Sequence, residues 1–277
     1  MFYLLYYFIQ MKILFNNNDL NEAINSVPNL GFVPTMGSLH NGHISLIKES
    51  IKKSSKTIVS IFVNPTQFNN KKDFNKYPRN YKKDLSILKT LKVDYVYIPS
   101  VADVYKVKNL KKIKINKKDK ILCAKYRKGH FEGVIEVMKL LTKSIKPKKI
   151  YMGEKDYQQF CFVKKHIEKR FICKIILCKT IRDKEGLALS SRNLLLNKND
   201  LIKARKLSQN LIKMKHGLKK STNIKKFLTT KKKELKDLFN IKIEYLELRN
   251  KFNLKITSKV YNSKIFIAYY LNKIRLI

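Results

Sequence analysis

The sequence has no tryptophan, and only 20 Asp+Glu stand against 61 Lys+Arg, a net charge of +41 over 277 residues. The missing tryptophan removes a strong stacking platform for single-stranded nucleic acid. A shortage of acids can itself mark a nucleic-acid binder. Here, however, the lysines run from Lys12 to Lys273 rather than gathering on one element, and arginine is scarce beside them. Arginine is the better reader of bases and phosphates, so the charge reads as a lysine-rich surface and no nucleic-acid partner is expected. Cysteine is sparse too: Cys123, Cys161, Cys173 and Cys178 form no C-x-x-C pair and have no histidine at zinc-finger spacing. Three of them lie in or beside apolar stretches, which predicts buried free thiols in a reducing cytosol. Apolar runs of bilayer length are also lacking. The nine apolar residues that open the chain are too few to span, and neither a basic segment before them nor a cleavage site after them marks a signal peptide. The expectation is a cytoplasmic protein with no membrane partner, starting at Met11 with residues 1–10 as an upstream extension.

What remains is rich in alternation. "LGFVPT" reads as a strand, followed by a helix in "NGHISLIKESIKKS" with Ile44, Ile47 and Ile51 on one face. "KTIVSIFVN" is a continuous β-branched run, as in a strand buried on both faces. A helix near residues 84–92, the strand "VDYVYIP", the amphipathic helix "FEGVIEVMKLLTKSI", the strand "KKIYMGEKD", the helix "DYQQFCFVKKHIEK" and the strand "FICKIILCKTI" follow. This order predicts an α/β fold, a Rossmann-like doubly wound parallel sheet. After about residue 180 the pattern changes. A helix capped by Asn199 or Asp200 and ended by Gly217, a second helix over about residues 223–238, and three successive strand candidates predict a smaller α+β C-terminal domain. The predicted domains are therefore 1–180 and 181–277. Solvated loops are expected for lysine runs such as "NLKKIKINKKDK".

In an open parallel sheet, ligands sit at the carboxyl ends of the strands. Four such ends carry polar sequence: "MGSLHNGH", "NPTQF", "GEKDYQQ" and "IRDKEGLALSSRN". In the first, His40 and His43 sit where a strand turns into a helix, and Gly37 and Gly42 let the backbone turn tightly. A helix N-terminus offers N–H groups to an anion, and an imidazolium there can offset charge in phosphoryl or nucleotidyl transfer. Core histidines and metal ligands are the competing readings of the pair, although no acidic neighbour or H-E-x-x-H spacing supplies further ligands. Ser190, Ser191 and Arg192 can hold phosphates, or simply cap a helix. Glu154, Lys155 and Asp156 read equally as an exposed helix start. Gln67 and Gln159 can donate and accept hydrogen bonds to a small polyhydroxy carboxylate. Arg127 and His130, just before another helix, form a further candidate anion site.

Taken together and in order, "PTMGSLHNGH", "SIFVNPTQF", "YPR", "GHFEGV", "GEKDYQQ", "GLALSSRN" and "IEYLELR" resemble the pantothenate synthetase (pantoate–β-alanine ligase) family, from about Met11 to the C-terminus. That family is part of the H-I-G-H-type nucleotidyl-transfer group. The resemblance implies ATP-dependent condensation of (R)-pantoate with β-alanine through pantoyl adenylate, releasing pyrophosphate and AMP, and a homodimer. It implies an ATP site formed by Met36, Gly37, Ser38, Leu39, His40, Asn41, Gly42 and His43, with His43 catalytic. Gly153, Glu154, Lys155, Asp156, the Ile181 backbone, Leu189, Ser190, Ser191 and Arg192 would complete it, with the C-terminal domain as a lid. Gln67, Gln159, Pro34, Phe62, Asn64 and His130 would serve pantoate and β-alanine, and Asp84 is the candidate ligand for Mg²⁺. The chain departs from the family pattern at Cys123-Ala124 (glutamate-glycine expected), Lys128 (proline), Glu185 (aspartate) and Lys83 (an acid beside Asp84), and it stops short of the usual acidic-polar tail. None of these changes removes a residue with a central role.

Overall fold

A computed structural model describes residues 10–106 and 113–277. The opening apolar stretch through residue 9 and part of the lysine run at residues 107–112 lie outside the described residues. The strands are β1 (Lys12–Leu14), β2 (Leu30–Thr35), β3 (Lys56–Ile61), β4 (Tyr95–Tyr97), β5 (Lys149–Gly153), β6 (Lys174–Cys178), β7 (Lys242–Asn250), β8 (Ser263–Leu271) and β9 (Ile274–Leu276). The helices are α1 (Asn17–Ile24), α2 (Asn41–Lys53), α3 (Lys71–Lys76), α4 (Tyr81–Thr90), α5 (Val101–Val104), α6 (Leu122–Tyr126), α7 (His130–Ile145), α8 (Tyr157–Ile167), α9 (Lys198–Lys220) and α10 (Ile224–Phe239). Two compact units form. The first takes Met1–Ile115, Gly129–Glu154 and Gln159–Lys179; the second takes Asn116–Lys128, Lys155–Gln158 and Thr180–Ile277. The second unit thus gathers two short segments that precede residue 180 as well as the chain that follows it.

The first unit is built on a six-stranded, wholly parallel sheet in the order β1-β4-β3-β2-β5-β6. Its centre is apolar because the sequence makes it so. Phe32, Val33, Ile58 and Val59 are all fully buried, and burial of each such side chain contributes about 2 kcal/mol. The chain leaves β2 on one side to build β3 and β4, then returns to its other side for β5, so the switch point lies between β2 and β5. Pairing there is short. β2 matches β3 over all six residues, from Leu30↔Lys56 to Thr35↔Ile61, but matches β5 only at Gly31↔Lys149 and Phe32↔Ile150. Pro34 has no N–H to offer a neighbouring strand, and the ladder to β5 stops before it. The sheet is therefore unzipped at its carboxyl end where a doubly wound fold admits ligands.

Helix α2 covers β2 with Leu46, Ile47 and Ser50 buried. The expected stripe of Ile44, Ile47 and Ile51 is only partly right, since Ile51 is exposed and Ser50 takes the inward place. Ser50 fits because it meets the hydroxyl of Thr57 at 2.8 Å, a paired polar contact inside the core. Helix α7 runs as its periodicity predicts, with Val134, Val137, Met138 and Leu141 inward. The thiols are free, but only Cys123 is buried. Cys161, Cys173 and Cys178 are half-buried, where three buried thiols were expected.

The second unit carries the three-stranded antiparallel sheet β7-β8-β9 with α9 and α10 packed around one apolar core, including Leu207, Leu235, Phe239, Leu246 and Tyr269. Helix α9 is capped by Asn197, whose side chain accepts from the Asp200 N–H, rather than by Asn199 or Asp200. Gly217 does not end α9, which continues to Lys220. A Cβ at Gly217 would lie 3.0 Å from the Phe227 ring of α10, so this glycine admits a close neighbour instead of breaking the helix.

Candidate functional site

In the first unit, β2 ends at Thr35 and the chain turns through residues 36–40 into α2. The turn is held from both sides. The Thr35 hydroxyl donates to the Ser60 carbonyl at 2.7 Å and accepts from the Gly37 N–H at 3.1 Å. Gly37 (φ +76°) and Ser38 (φ +52°) both lie in the left-handed region, which costs a serine about 1 kcal/mol. The compensation comes from Asp84 on α4. Its two carboxylate oxygens accept from the Ser38 and Leu39 N–H groups, each at 2.8 Å, and the side chain is buried. Both oxygens of the carboxylate are thereby engaged in shaping the turn. No group of three or more His, Cys, Asp or Glu among the described residues has an arrangement that could hold a metal ion.

The histidines form the head of α2. His40 is the N-cap, its Nδ1 accepting from the Gly42 N–H at 3.0 Å, and His43 Nδ1 accepts from the His40 N–H at 3.4 Å. The two rings lie 4.1 Å apart. This is a capping box made of imidazoles in place of the usual hydroxyl and carboxylate. With each Nδ1 accepting a backbone N–H, Nε2 is the ring nitrogen that can act as a donor, and the pair sits at the positive end of a helix.

β3 ends in a second polar loop. Asn64 is buried, and its Oδ1 accepts from the Thr66 N–H (3.3 Å), the Thr66 hydroxyl (3.1 Å) and the Tyr105 hydroxyl (2.7 Å). Its Nδ2 donates to Gln67 Oε1 at 3.4 Å and the Gly133 carbonyl at 3.3 Å. Gln67 then donates through Nε2 to the Met36 sulfur at 2.8 Å. His130 opens α7 after Gly129 (φ +80°), and its Nδ1 meets the Gln67 carbonyl at 2.8 Å. A carbonyl only accepts, so His130 donates from Nδ1, the opposite arrangement to His40 and His43. Gly133 lets α7 come this close: a Cβ there would sit 2.5 Å from the Thr66 carbonyl oxygen. Met36, Asn64, Gln67 and His130 are thus brought together. Phe62 is buried and Pro34 half-buried on the neighbouring strand ends. Gly153 closes β5, Glu154 follows it, and Gln159 lies half-buried on α8.

In the second unit, Lys155 Nζ lies 3.6 Å from the Asp156 carboxylate. The stretch from Ile181 to Leu189 folds back on itself. The Leu189 N–H donates to the Ile181 carbonyl (3.0 Å), and Gly186 (φ +88°) supplies the turn. Asp183 anchors it, accepting from the Leu187 N–H at 2.8 Å and from Arg205 Nε at 2.8 Å. Ser190 caps a short 3₁₀ turn, accepting from the Arg192 N–H at 3.3 Å, and Ser191 is buried. The cap reading of "SSRN" is therefore realised, and it engages the Ser190 oxygen. Sequence reasoning missed Asp183, which anchors its own turn and Arg205, and Tyr105, whose partners lie about 40 residues away.

These features define a class: an α/β enzyme fold of the doubly wound type, with polar loops at the carboxyl ends of its strands. The family model described as Pantoate-beta-alanine ligase matches residues 12–277. A pantothenate synthetase of Fervidobacterium nodosum is 37% identical over 258 residues, covering 92% of each chain. That of Francisella philomiragia is 41% identical, covering 94% of this chain and 92% of the relative. Among solved structures, pantothenate synthetase from Thermus thermophilus superposes with a TM-score of 0.89 at 29% identity, over 96% of this chain and 97% of that one. A Francisella tularensis pantoate–β-alanine ligase, complexed with a β,γ-ATP compound and β-alanine, superposes with a TM-score of 0.81 at 37% identity, over 96% and 95% of the two chains. The chain belongs to the pantoate–β-alanine ligase family. Its activity is the ligation of pantoate to β-alanine, which makes pantothenate.

Proposed function

We propose that the ligation runs through pantoyl adenylate, with ATP as the activating substrate. The observation that carries this reading is the head of α2, where Nδ1 of His40 and Nδ1 of His43 each accept a backbone N–H, which leaves Nε2 as the donor side of each ring. A pantoate carboxylate oxygen attacks the α-phosphorus of ATP, a new P–O bond forms, the α–β bridge bond breaks and pyrophosphate leaves. His43 donates to the charge that builds on the transferring phosphoryl group, and His40 holds phosphate oxygens. Donors fixed in a helix cap need no reorganisation as charge develops, which is where such stabilisation is strongest. The neutral amine of β-alanine then attacks the acyl carbon; a C–N bond forms, the acyl C–O bond to AMP breaks, AMP leaves and the nitrogen gives up one proton to solvent.

In this reading residues 36–43, Gly153, Glu154, Lys155, Asp156, Ile181, Leu189, Ser190, Ser191 and Arg192 serve ATP. Gln67, Gln159, Pro34, Phe62, Asn64 and His130 serve pantoate and β-alanine. The Nδ1 bond from His130 to the Gln67 carbonyl sets the orientation of that ring. Mg²⁺ enters with ATP as part of the substrate complex, and Asp84 acts on the loop rather than on the metal. A cytoplasmic homodimer completes the proposal, following the family. The test is isotopic. Pantoate labelled with ¹⁸O in its carboxylate transfers one label to AMP if the adenylate forms. Label found in inorganic phosphate, with ADP released, points to an acyl phosphate and overturns the scheme.

A further inference from the structure

In the polar hub behind Gln67, Tyr105 has no role in the scheme above. Tyr105 follows α5, and its hydroxyl donates to Asn64 Oδ1 at 2.7 Å and meets the Thr66 hydroxyl at 2.9 Å. An asparagine amide has two faces of nearly equal shape, and only its partners decide which way round it sits. At Asn64 all three donors, the Thr66 N–H, the Thr66 hydroxyl and the Tyr105 hydroxyl, address one atom. That atom must be the oxygen, so the NH₂ faces Gln67 Oε1 and the Gly133 carbonyl. The same logic then propagates one residue. With Oε1 of Gln67 receiving the Asn64 N–H, the Gln67 NH₂ is turned the other way, toward Met36. An NH₂ group carries two hydrogens and the Met36 sulfur takes at most one, so a second N–H is available to an acceptor.

We propose that Tyr105 is a positioning residue for pantoate binding: through Asn64 it fixes the orientation of the Gln67 amide, so that this amide presents N–H to the acid. The proposal rests on the reading of Gln67 as a pantoate ligand. Burial pushes the Tyr105 phenol up to about 12, so it remains a donor throughout the working pH range. Without it, Asn64 loses its shortest contact, at 2.7 Å against 3.1 Å and 3.3 Å from Thr66. A flipped Asn64 would set its oxygen against Gln67 Oε1, and Gln67 would have to flip in turn, offering an oxygen to a carboxylate.

The test uses the full chain and steady-state kinetics. Tyr105→Phe keeps the ring and removes only the hydroxyl. It is expected to raise KM for pantoate about tenfold, the scale of one lost buried hydrogen bond, while kcat and the KM for ATP stay within about twofold. Gln67→Ala by itself should also raise KM for pantoate, and Tyr105→Phe added to Gln67→Ala should change nothing more. If Gln67→Ala raises that KM but Tyr105→Phe does not, the proposal for Tyr105 is overturned while Gln67 keeps its role. A full tenfold effect of Tyr105→Phe in the Gln67→Ala background, or an equal loss in every kinetic constant, also overturns it by showing general structural damage. If Gln67→Ala leaves the pantoate KM unaltered, the reading of Gln67 fails first and the positioning role falls with it.

Discussion

The two units place their buried polar groups differently. In the first, alongside the Ser50–Thr57 pair in the core, several of these groups lie in the loops and turns at the carboxyl ends of the strands: Asp84 under the Ser38–Leu39 turn, Asn64 behind Gln67, His130 on the Gln67 carbonyl. In the second they fasten one element to another within the fold. Arg275 on β9 donates to Glu244 on β7 at 2.7 Å and to the Cys123 sulfur at 3.3 Å. The same carboxylate accepts from the Tyr270 hydroxyl at 2.9 Å, and Cys123 meets the Tyr245 hydroxyl at 3.0 Å. Burial raises the Tyr245 phenol far above its ordinary value, and the Glu244 carboxylate helps hold Arg275 charged. One set of polar groups shapes loops at the strand ends, where the proposed site lies; the other ties strands and helices together. Comparable amounts of buried polarity should therefore give opposite phenotypes when broken.

The largest expected effect is in the first unit. His43→Ala should lower kcat by about 10²–10³-fold, the usual loss for one donor to a developing anion, with little change in melting temperature because its cap bond is long. A normal kcat in this variant would remove His43 from the chemistry. Next comes the second unit. Glu244→Ala leaves the mostly buried Arg275 without its carboxylate and should cost about 3 kcal/mol of stability in denaturant unfolding, with kcat of the folded enzyme within about twofold at low temperature. If activity falls and stability does not, the contrast between the units is wrong. Asp84→Asn tests both properties at once. An asparagine can accept from only one of the two N–H groups and sets an NH₂ against the other, so stability should drop by about 2 kcal/mol and kcat should fall, while the dependence on Mg²⁺ concentration is unchanged. The smallest effect concerns pH. Burial pushes the Cys173 and Cys178 thiols of the first unit up to about 11 from 9.0. The folded state then keeps protons that the unfolded state has lost, so this stability is complete below pH 9 and declines between about pH 9 and 11. Replacing both thiols with alanine should flatten that part of a stability–pH curve, and an unchanged slope would count against the shifts.

Much of this was legible in the chain of residues, for reasons that are local. Val, Ile and Leu at alternating helical and continuous spacing mark β3 and α7, and a histidine pair at the head of an apolar helix marks a strand end worth attention. The unreadable parts depend on distant partners. Asp84 sits on a lysine-rich helix, and nothing beside it in the chain points to its two N–H donors, 45 and 46 residues away. Gly217 reads as a helix stop because the Phe227 ring that fills its place belongs to the next helix. Cys123 and Arg275 meet across 152 residues. Pro34 was visible throughout, but its effect on the β2–β5 ladder required knowing which strand returns to β2.

The Asp84 anchor also sets an order of events during synthesis. The turn before α2 holds Ser38 in a backbone conformation that it does not favour, and the compensation arrives only when α4 docks. A ribosome-bound chain that has released residues 36–43 but not yet Asp84 has the histidine motif without the shape that aims it. A nascent fragment ending before residue 84 is therefore expected to carry the histidine motif without the two contacts that hold its turn.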